Sequence, residues 1–401
     1  MSYLDEDSYE RQCLEWLKQQ GWTVAFGPDL AHDGISPERS GLTDVVLSER
    51  LLTAIMSLNP DLGLEAAKRV VEQVEYPGER DLLRANRLLH SWFVNGIPVQ
   101  VRDSEGVEST KLARVFDFDS PASNDFLAVN QFSVQVESGA GARRPDIVLF
   151  VNGIPIGVVE LKNPSELDTD IWQAFNQLQT YKEQIPKLFF YNEVLVVADG
   201  PDARMGGLTS EKERFLAWRS NDGESRDPYG AFGNAQTLFS GLLKPASLVE
   251  IVRSYIFYDE LEPKTKWIPA YHQFYAVEKA FVRASLASAE DGDGKGGLMW
   301  HTQGSGKSYE MAVLAGKLAT SLKLNNPTVV VVTDRKDLDR QLYDTFVGAK
   351  SILRQPPQMV EGRENLREAI ETRPAGGIFF TTIQKFAVEE GEKAYPALTT
   401  R

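Results

Sequence analysis

Arg144-Pro145-Asp146-Ile147-Val148-Leu149-Phe150-Val151-Asn152-Gly153-Ile154-Pro155-Ile156-Gly157-Val158-Val159-Glu160-Leu161-Lys162 reads as two apolar strands joined at Asn152-Gly153, a dipeptide that favours tight hairpins because both residues tolerate positive φ. Side chains alternate along a strand, so Glu160 and Lys162 share one face while Leu161 takes the other. The face of Asp146 depends on the turn. A two-residue loop pairs Val151 with Ile154, sets Asp146 opposite Val159 and sends the two acids to different faces. A three-residue loop from Asn152 to Ile154 pairs Val151 with Pro155 and sets Asp146 opposite Glu160, and a bulge at Gly157 has a similar effect. The segment predicts one of the latter two. Directly opposed residues lie about 5 Å apart, near enough for two carboxylates to share one divalent cation.

Two carboxylates and an ammonium on one half-buried surface pack poorly, because like charges repel and each needs a partner. Around Mg²⁺ the same set is coherent. Asp146 and Glu160 become metal ligands, and Lys162 holds or deprotonates an attacking water or stabilises charge building on a phosphodiester. The plainer reading is an edge-strand salt bridge between Glu160 and Lys162.

Pro145-Asp146 followed by Glu160-Leu161-Lys162 resembles the PD-(D/E)xK nuclease core, and the surrounding sequence is similar to the restriction (motor) subunit of type I restriction-modification enzymes. That family carries a Gln-x-x-x-Tyr motif on the next helix, matched here by Gln177 and Tyr181 inside the run 166–184. Their i, i+4 spacing places both on one helical face. The resemblance implies catalytic roles for Asp146, Glu160, Lys162, Gln177 and Tyr181, with Asp146 and Glu160 holding Mg²⁺.

The 401 residues predict two or three domains. An apolar content of 42% and a charged content of 25% are those of a globular protein. No run is long enough to cross a bilayer, and the acidic N-terminus lacks the basic and apolar regions of a signal peptide. The single Cys13 excludes an internal disulfide and fits a cytoplasmic location. Histidines at 32, 90, 272 and 301 do not have metal-ligand spacing. A net charge of −14 argues against non-specific coating of nucleic acid, although a local basic groove on an acidic body is compatible with DNA binding.

Residues 8–20 have helical spacing, with Glu10 on the stripe of Leu14 and Leu17: a surface glutamate, or a third carboxylate near the site. From Gly41 to Gly96 the pattern is helical throughout (42–58, 62–75, 79–93), which reads as a helical insertion, about 41–95, before the sheet. Its exposed side suits a DNA or subunit contact, and core packing explains its apolar stripes equally well. Strands are expected at 97–102, 112–118, 126–136 and 193–199, and helix again at 235–258. Arg143 and Arg144 flank the acidic site, placed to meet phosphates or simply to be solvated. The charged, Pro-containing stretch Asp259–Lys266 marks the expected boundary. The resemblance implies an α/β fold class, with residues 1–260 expected to form a nuclease-like mixed sheet with the helical insertion, and 261–401 a RecA-like parallel lobe.

In the second part, Leu298-Met299-Trp300-His301-Thr302-Gln303-Gly304-Ser305-Gly306-Lys307-Ser308 reads as a short apolar strand, a glycine-rich loop and a helix starting near Lys307. Successive backbone N–H groups of such a loop converge on a phosphate and the helix N-terminus adds its dipole. Thr302, Gly304, Ser305, Gly306, Lys307 and Ser308 would bind ATP, with Lys307 on the β- and γ-phosphates and Ser308 on Mg²⁺. The general pattern has glycine where this chain has His301, and the type I motor subunit shares that departure. Gln273 resembles the adenine-reading glutamine of superfamily 2 helicases. Two buried strands follow, 328–332 ending in Thr333–Gln341 and a second within 378–384 whose C-terminal end offers hydroxyls, resembling helicase motifs Ia and Ib.

No acidic Walker B strand and no arginine-finger lobe occur before Arg401, so the chain is expected to be the N-terminal part of a larger motor. The resemblance implies a type I site-specific deoxyribonuclease. In the complete protein, Mg²⁺-dependent cleavage of double-stranded DNA would be coupled to ATP-driven translocation, in complex with methyltransferase and specificity subunits. A repair-type nuclease-helicase would share both motifs. A non-catalytic fragment that docks on those subunits is the other alternative.

Overall fold

The computed structural model describes residues 5–386 apart from 103–105, 164–169, 229, 231, 335, 361 and 374. They fall into two compact units, divided between Arg253 and Ser254. Both are mixed α/β. The charged stretch Asp259–Lys266 lies within the second unit as the connection of a short ribbon pairing Phe257 with Trp267. Its turn is held by Asp259, whose side chain accepts from Leu261 N, Glu262 N and Trp267 Nε1.

The first unit is built on a six-stranded sheet. Its members are β1 (Thr23–Phe26), preceded by α1 (Glu6–Gln19), then β4 (Phe126–Asn130), β5 (Ile147–Val151), β6 (Ile154–Leu161), β7 (Val194–Ala198) and β8 (Ala203–Gly206), in that spatial order. β1 and β4 are parallel, as are β6 and β7, and the other neighbours are antiparallel. Strands β5, β6 and β7 are buried along their whole length, which is why they read as continuous apolar runs rather than alternating ones. Each fully buried Val, Leu, Ile or Phe there contributes about 1.5–3 kcal/mol relative to exposure. β2 (Ile97–Arg102) and β3 (Glu108–Ala113) form a separate ribbon.

Between β1 and β2 lie three helices, α2 (Ser48–Leu58), α3 (Leu64–Glu75) and α4 (Leu82–Asn95), in the place expected for the helical insertion. Its apolar stripes are core packing: Val70, Val74, Leu89 and Phe93 are buried. Buried polar groups fasten it to the segment before β7. Asn86 Nδ2 donates to the carbonyls of Phe189, Phe190 and Asn192 at 3.3, 2.9 and 2.8 Å, and Tyr191 Oη donates to Val74 O at 2.9 Å.

Several expected boundaries moved. Residues 41–47 are not helical: Asp44 caps the N–H groups of Ser40 and Gly41, and Leu47 N donates to Gly153 O at the hairpin tip. The strand expected at 112–118 lies at Glu108–Ala113, because its partner Ile97–Arg102 sets the register. The run 126–136 breaks at Gln131, whose φ of 58° leaves β4 and a two-residue strand at Val134–Gln135. In 235–258 only Ala235–Gly241 and Pro245–Glu250 are α-helical; Ile251–Tyr255 widens to a π turn before Phe257–Tyr258 becomes strand.

In the second unit, α5 (Tyr271–Ala287) and α6 (Lys307–Thr320) accompany a parallel three-stranded sheet. Its order is β9 (Val329–Thr333), β11 (Ile378–Thr382), β10 (Gln358–Met359). The apolar strand expected at 298–300 is not formed, and Leu298 and Trp300 are 87% and 85% exposed. An apolar run becomes a strand only beside a hydrogen-bonding neighbour, and among the described residues no strand flanks it.

Candidate functional site

The central hairpin resolves its own ambiguity. Asn152 and Gly153 have φ of 52° and 78°, forming a two-residue loop that pairs Val151 with Ile154. Asn152 is locked in place: its side chain accepts from Asp125 N and donates to Val115 O and Asn124 Oδ1. The tight loop alone would send the acids to opposite faces. A bulge intervenes, since Phe150 pairs with Pro155 but Leu149 pairs with Gly157, leaving Ile156 as the extra residue. Below it Ile147 pairs with Val159, so the register continues with Asp146 opposite Glu160. Gly157 fits closely there: a Cβ would lie 3.0 Å from Leu149 Cδ1 and 3.1 Å from Val194 Cγ1, so either neighbour would have to shift by a few tenths of an ångström.

Asp146 Oδ2 accepts from Leu161 N at 2.7 Å, stitching the strand ends together. Glu160 is 1% exposed; its Oε1 takes Lys162 Nζ at 3.2 Å, and among the described residues its buried Oε2 has no hydrogen-bond partner. Lys162 Nζ also donates to Gln177 Oε1 at 2.8 Å, and Gln177 Nε2 donates to Tyr181 Oη at 2.6 Å. Gln177 and Tyr181 stand on the helix Ile171–Gln184, which Asp170 caps through Trp172 N and Gln173 N. The five residues Asp146, Glu160, Lys162, Gln177 and Tyr181 therefore form one connected group.

Burial raises the Asp146 carboxyl to about 7, against the opposing pull of the Leu161 N–H and the Lys162 ammonium. Glu160 moves well up, mainly by burial and then by the Asp146 charge. Among the described residues one ammonium faces one buried and one half-buried carboxyl, which leaves the group short of positive charge. An orphaned carboxylate oxygen beside a second carboxylate is a donor set suited to a hard divalent cation, so these residues fit Mg²⁺.

Glu10 is more than a solvated surface residue. Its two oxygens accept from Asn130 Nδ2 at 2.7 Å and Gln131 Nε2 at 2.6 Å, and Gln131 N in turn donates to Asp146 O. Glu10 and Glu6 both push the Asp146 carboxyl upward. Glu6 went unrecognised in the sequence because an acidic first turn is ordinary helix chemistry. Arg143 bonds Gln184, while Arg144 is exposed beside the acidic group.

The second unit places its glycine-rich loop at the start of α6. Gly304 and Gly306 have φ of 81° and 86°. Lys307 Nζ donates to the carbonyls of His301 and Thr302 at 3.1 and 2.8 Å. Gln273 accepts from Ala270 N and donates to Ser305 O at 2.9 Å, so its amide ties α5 to the loop. Ser308 is the second residue of α6. At the sheet end Gln384 Nε2 donates to Asp334 O; Arg335 of the motif Ia stretch lies outside the described residues. The histidines, dismissed on spacing, are not all scattered: the rings of His272 and His301 stand 5.3 Å apart. Sequence distance concealed a contact made by two different elements.

No helix among the described residues is long and apolar enough to cross a membrane. The family described as type I restriction enzyme R protein N terminus matches residues 3–214, and the SWI2/SNF2 ATPase family matches residues 272–401. The chain is 40% identical over 402 residues to the type I restriction enzyme HindI endonuclease subunit of Haemophilus influenzae. It is 34% identical over 418 residues to the putative type I restriction enzyme MjaIXP endonuclease subunit of Methanocaldococcus jannaschii. Each alignment covers 99% of this chain but only 38% and 39% of those relatives.

Proposed function

Because the chain belongs to the family of type I restriction enzyme endonuclease (R) subunits, we propose that its first unit is a PD-(D/E)xK nuclease domain that cleaves double-stranded DNA with Mg²⁺. The second unit is read as the first RecA-like lobe of an ATP-driven translocase. The observation that carries the nuclease reading is the bulge at Ile156, which brings Asp146 onto the side of Glu160 and Lys162 around a carboxylate oxygen without a hydrogen-bond partner among the described residues. For the nucleotide, the support is the loop of positive-φ glycines leading into α6, with Lys307 folded back on the loop carbonyls.

Asp146 and Glu160 would hold the Mg²⁺, and the bound ion would lower the pKa of water and offset phosphodiester charge. Lys162, steered by Gln177 Oε1, presents its ammonium where a water is oriented and where negative charge builds on the phosphorus oxygens. Tyr181 fixes the Gln177 amide, so that its carbonyl oxygen and not its NH₂ meets Lys162. Exposed Arg144 lies beside the group to meet a DNA phosphate. In the second unit Lys307 would swing from its loop carbonyls to the β- and γ-phosphates of ATP, and Ser308 would contact Mg²⁺. Across the full-length protein, assembly with methyltransferase and specificity subunits would supply the DNA target.

The test is plasmid cleavage by the purified chain. Mg²⁺-dependent nicking or linearisation is expected, stopped by EDTA and by Asp146→Ala. Lys162→Met should reduce it by about 10²-fold or more with the far-ultraviolet circular dichroism unchanged. Cleavage that survives both substitutions would rule out this site.

A further inference from the structure

A third group of side chains, used by neither proposed reaction, lies beside the glycine-rich loop. His272 is the second residue of α5, His301 stands where the loop begins, and Glu310 is the fourth residue of α6. One ligand atom from each lies within 4.8 Å of the others. His301 Nδ1 meets Glu310 Oε1 at 2.8 Å, and His272 Nε2 stands 3.2 Å from Ser305 O.

Glu310 is the telling member. It is 1% exposed, its Oε1 meets an imidazole, and among the described residues its second oxygen, Oε2, is buried without a hydrogen-bond partner. A carboxylate is seldom left in this state without a cation, because burial removes the water that would otherwise satisfy it. The two imidazoles remain partly exposed, which leaves an entry path from solvent.

The donor set selects the ion. Two imidazoles and one carboxylate suit Zn²⁺ and its first-row neighbours, whereas Mg²⁺ takes oxygen ligands and keeps its water. Zn²⁺ bonds to nitrogen and carboxylate oxygen at about 2.0–2.2 Å, so modest side-chain rotations would close the triangle on a shared centre. We propose that His272, His301 and Glu310 form a binding site for a divalent first-row transition-metal ion of the Zn²⁺ type. Three protein ligands leave a fourth position for water. Such an ion clamps the start of α5, the loop and α6 together, in the arrangement where Ser305 O is already held by Gln273.

Co²⁺ serves as the spectroscopic probe, added to the metal-stripped full chain carrying Asp146→Asn and Glu160→Gln, so that the acidic group of the first unit cannot contribute. Binding of one equivalent with the intense visible absorption of tetrahedral Co²⁺ is expected, displaced by Zn²⁺ but not by excess Mg²⁺. His272→Ala, at a partly exposed position, should abolish the band while circular dichroism stays unchanged; Glu310→Gln should do the same. Absence of the band, or a band that persists in His272→Ala, would overturn the proposal. Failure of plasmid cleavage leaves this result unaffected, since the two groups belong to different units.

Discussion

Replacing Asp146 by Asn removes one ionisable group while keeping its shape and its ability to accept from Leu161 N. Burial raises this carboxyl from 3.8 to about 7 in the folded chain. Between those values the folded state holds a proton that the unfolded chain has released. The stabilisation it provides is fully present below 3.8 and is lost as pH rises through about 7. From pH 5 to pH 8 in EDTA, linkage puts the loss at about 2–3 kcal/mol relative to Asp146→Asn, which has no such proton to lose. Glu160 is shifted in the same direction, and in the wild type the two charges oppose each other at high pH. Urea unfolding of both proteins at matched pH, followed by hydrogen–deuterium exchange of peptides covering 147–161, reads the difference for the first unit alone. Saturating Mg²⁺ at pH 8 should restore the wild type relative to the variant, because an ion that binds only the folded acidic pair stabilises it by mass action. A difference that stays flat from pH 5 to 8, or a wild type that gains on the variant as pH rises, would refute the account of a buried, cation-seeking carboxylate pair.

Gly306→Ala places a Cβ 2.3 Å from Gln273 Nε2 at a φ of +86°. Loop distortion should destabilise the second unit by roughly 1–2 kcal/mol and weaken binding of a fluorescent ATP analogue by about tenfold or more, read by anisotropy. Asn86→Leu leaves the carbonyls of Phe189, Phe190 and Asn192 without their shared donor. A loss of about 2–4 kcal/mol is expected in urea denaturation. Asn95→Ala, which gives up only an exposed contact with Ser91, should change stability by less than about 0.5 kcal/mol.

Much of the chemistry was readable in one dimension because it rests on local spacing. Gln177 and Tyr181 face the same way because an α-helix repeats at i+4, and Glu160 and Lys162 do so because a strand repeats at two. Glycines at 304 and 306 announce positive φ before a helix. Even the need for a hairpin irregularity follows from those periods, since two acids proposed to hold one ion must share a face. Which irregularity occurs does not follow from them. A two-residue loop with the bulge at Ile156 was chosen by Asn152, held by Asp125, Val115 and Asn124, and by the close approach of Leu149 and Val194 to Gly157.

Local pattern failed where the outcome depends on a distant neighbour. Residues 298–300 have the composition of a strand but no ladder partner among the described residues, and 41–47 were drawn out of a helix by the hairpin tip. His272 and His301 form no metal-binding motif in the sequence, because 29 positions of chain separate them and the packing of α5 against the loop before α6 closes the gap. The sequence by itself therefore determined which side chains each helix, strand and loop presents, since backbone periodicity acts within a few residues. Tertiary structure alone decided how deeply Asp146, Glu160 and Glu310 are buried, because desolvation and charge pairing are set by groups brought together from far along the chain.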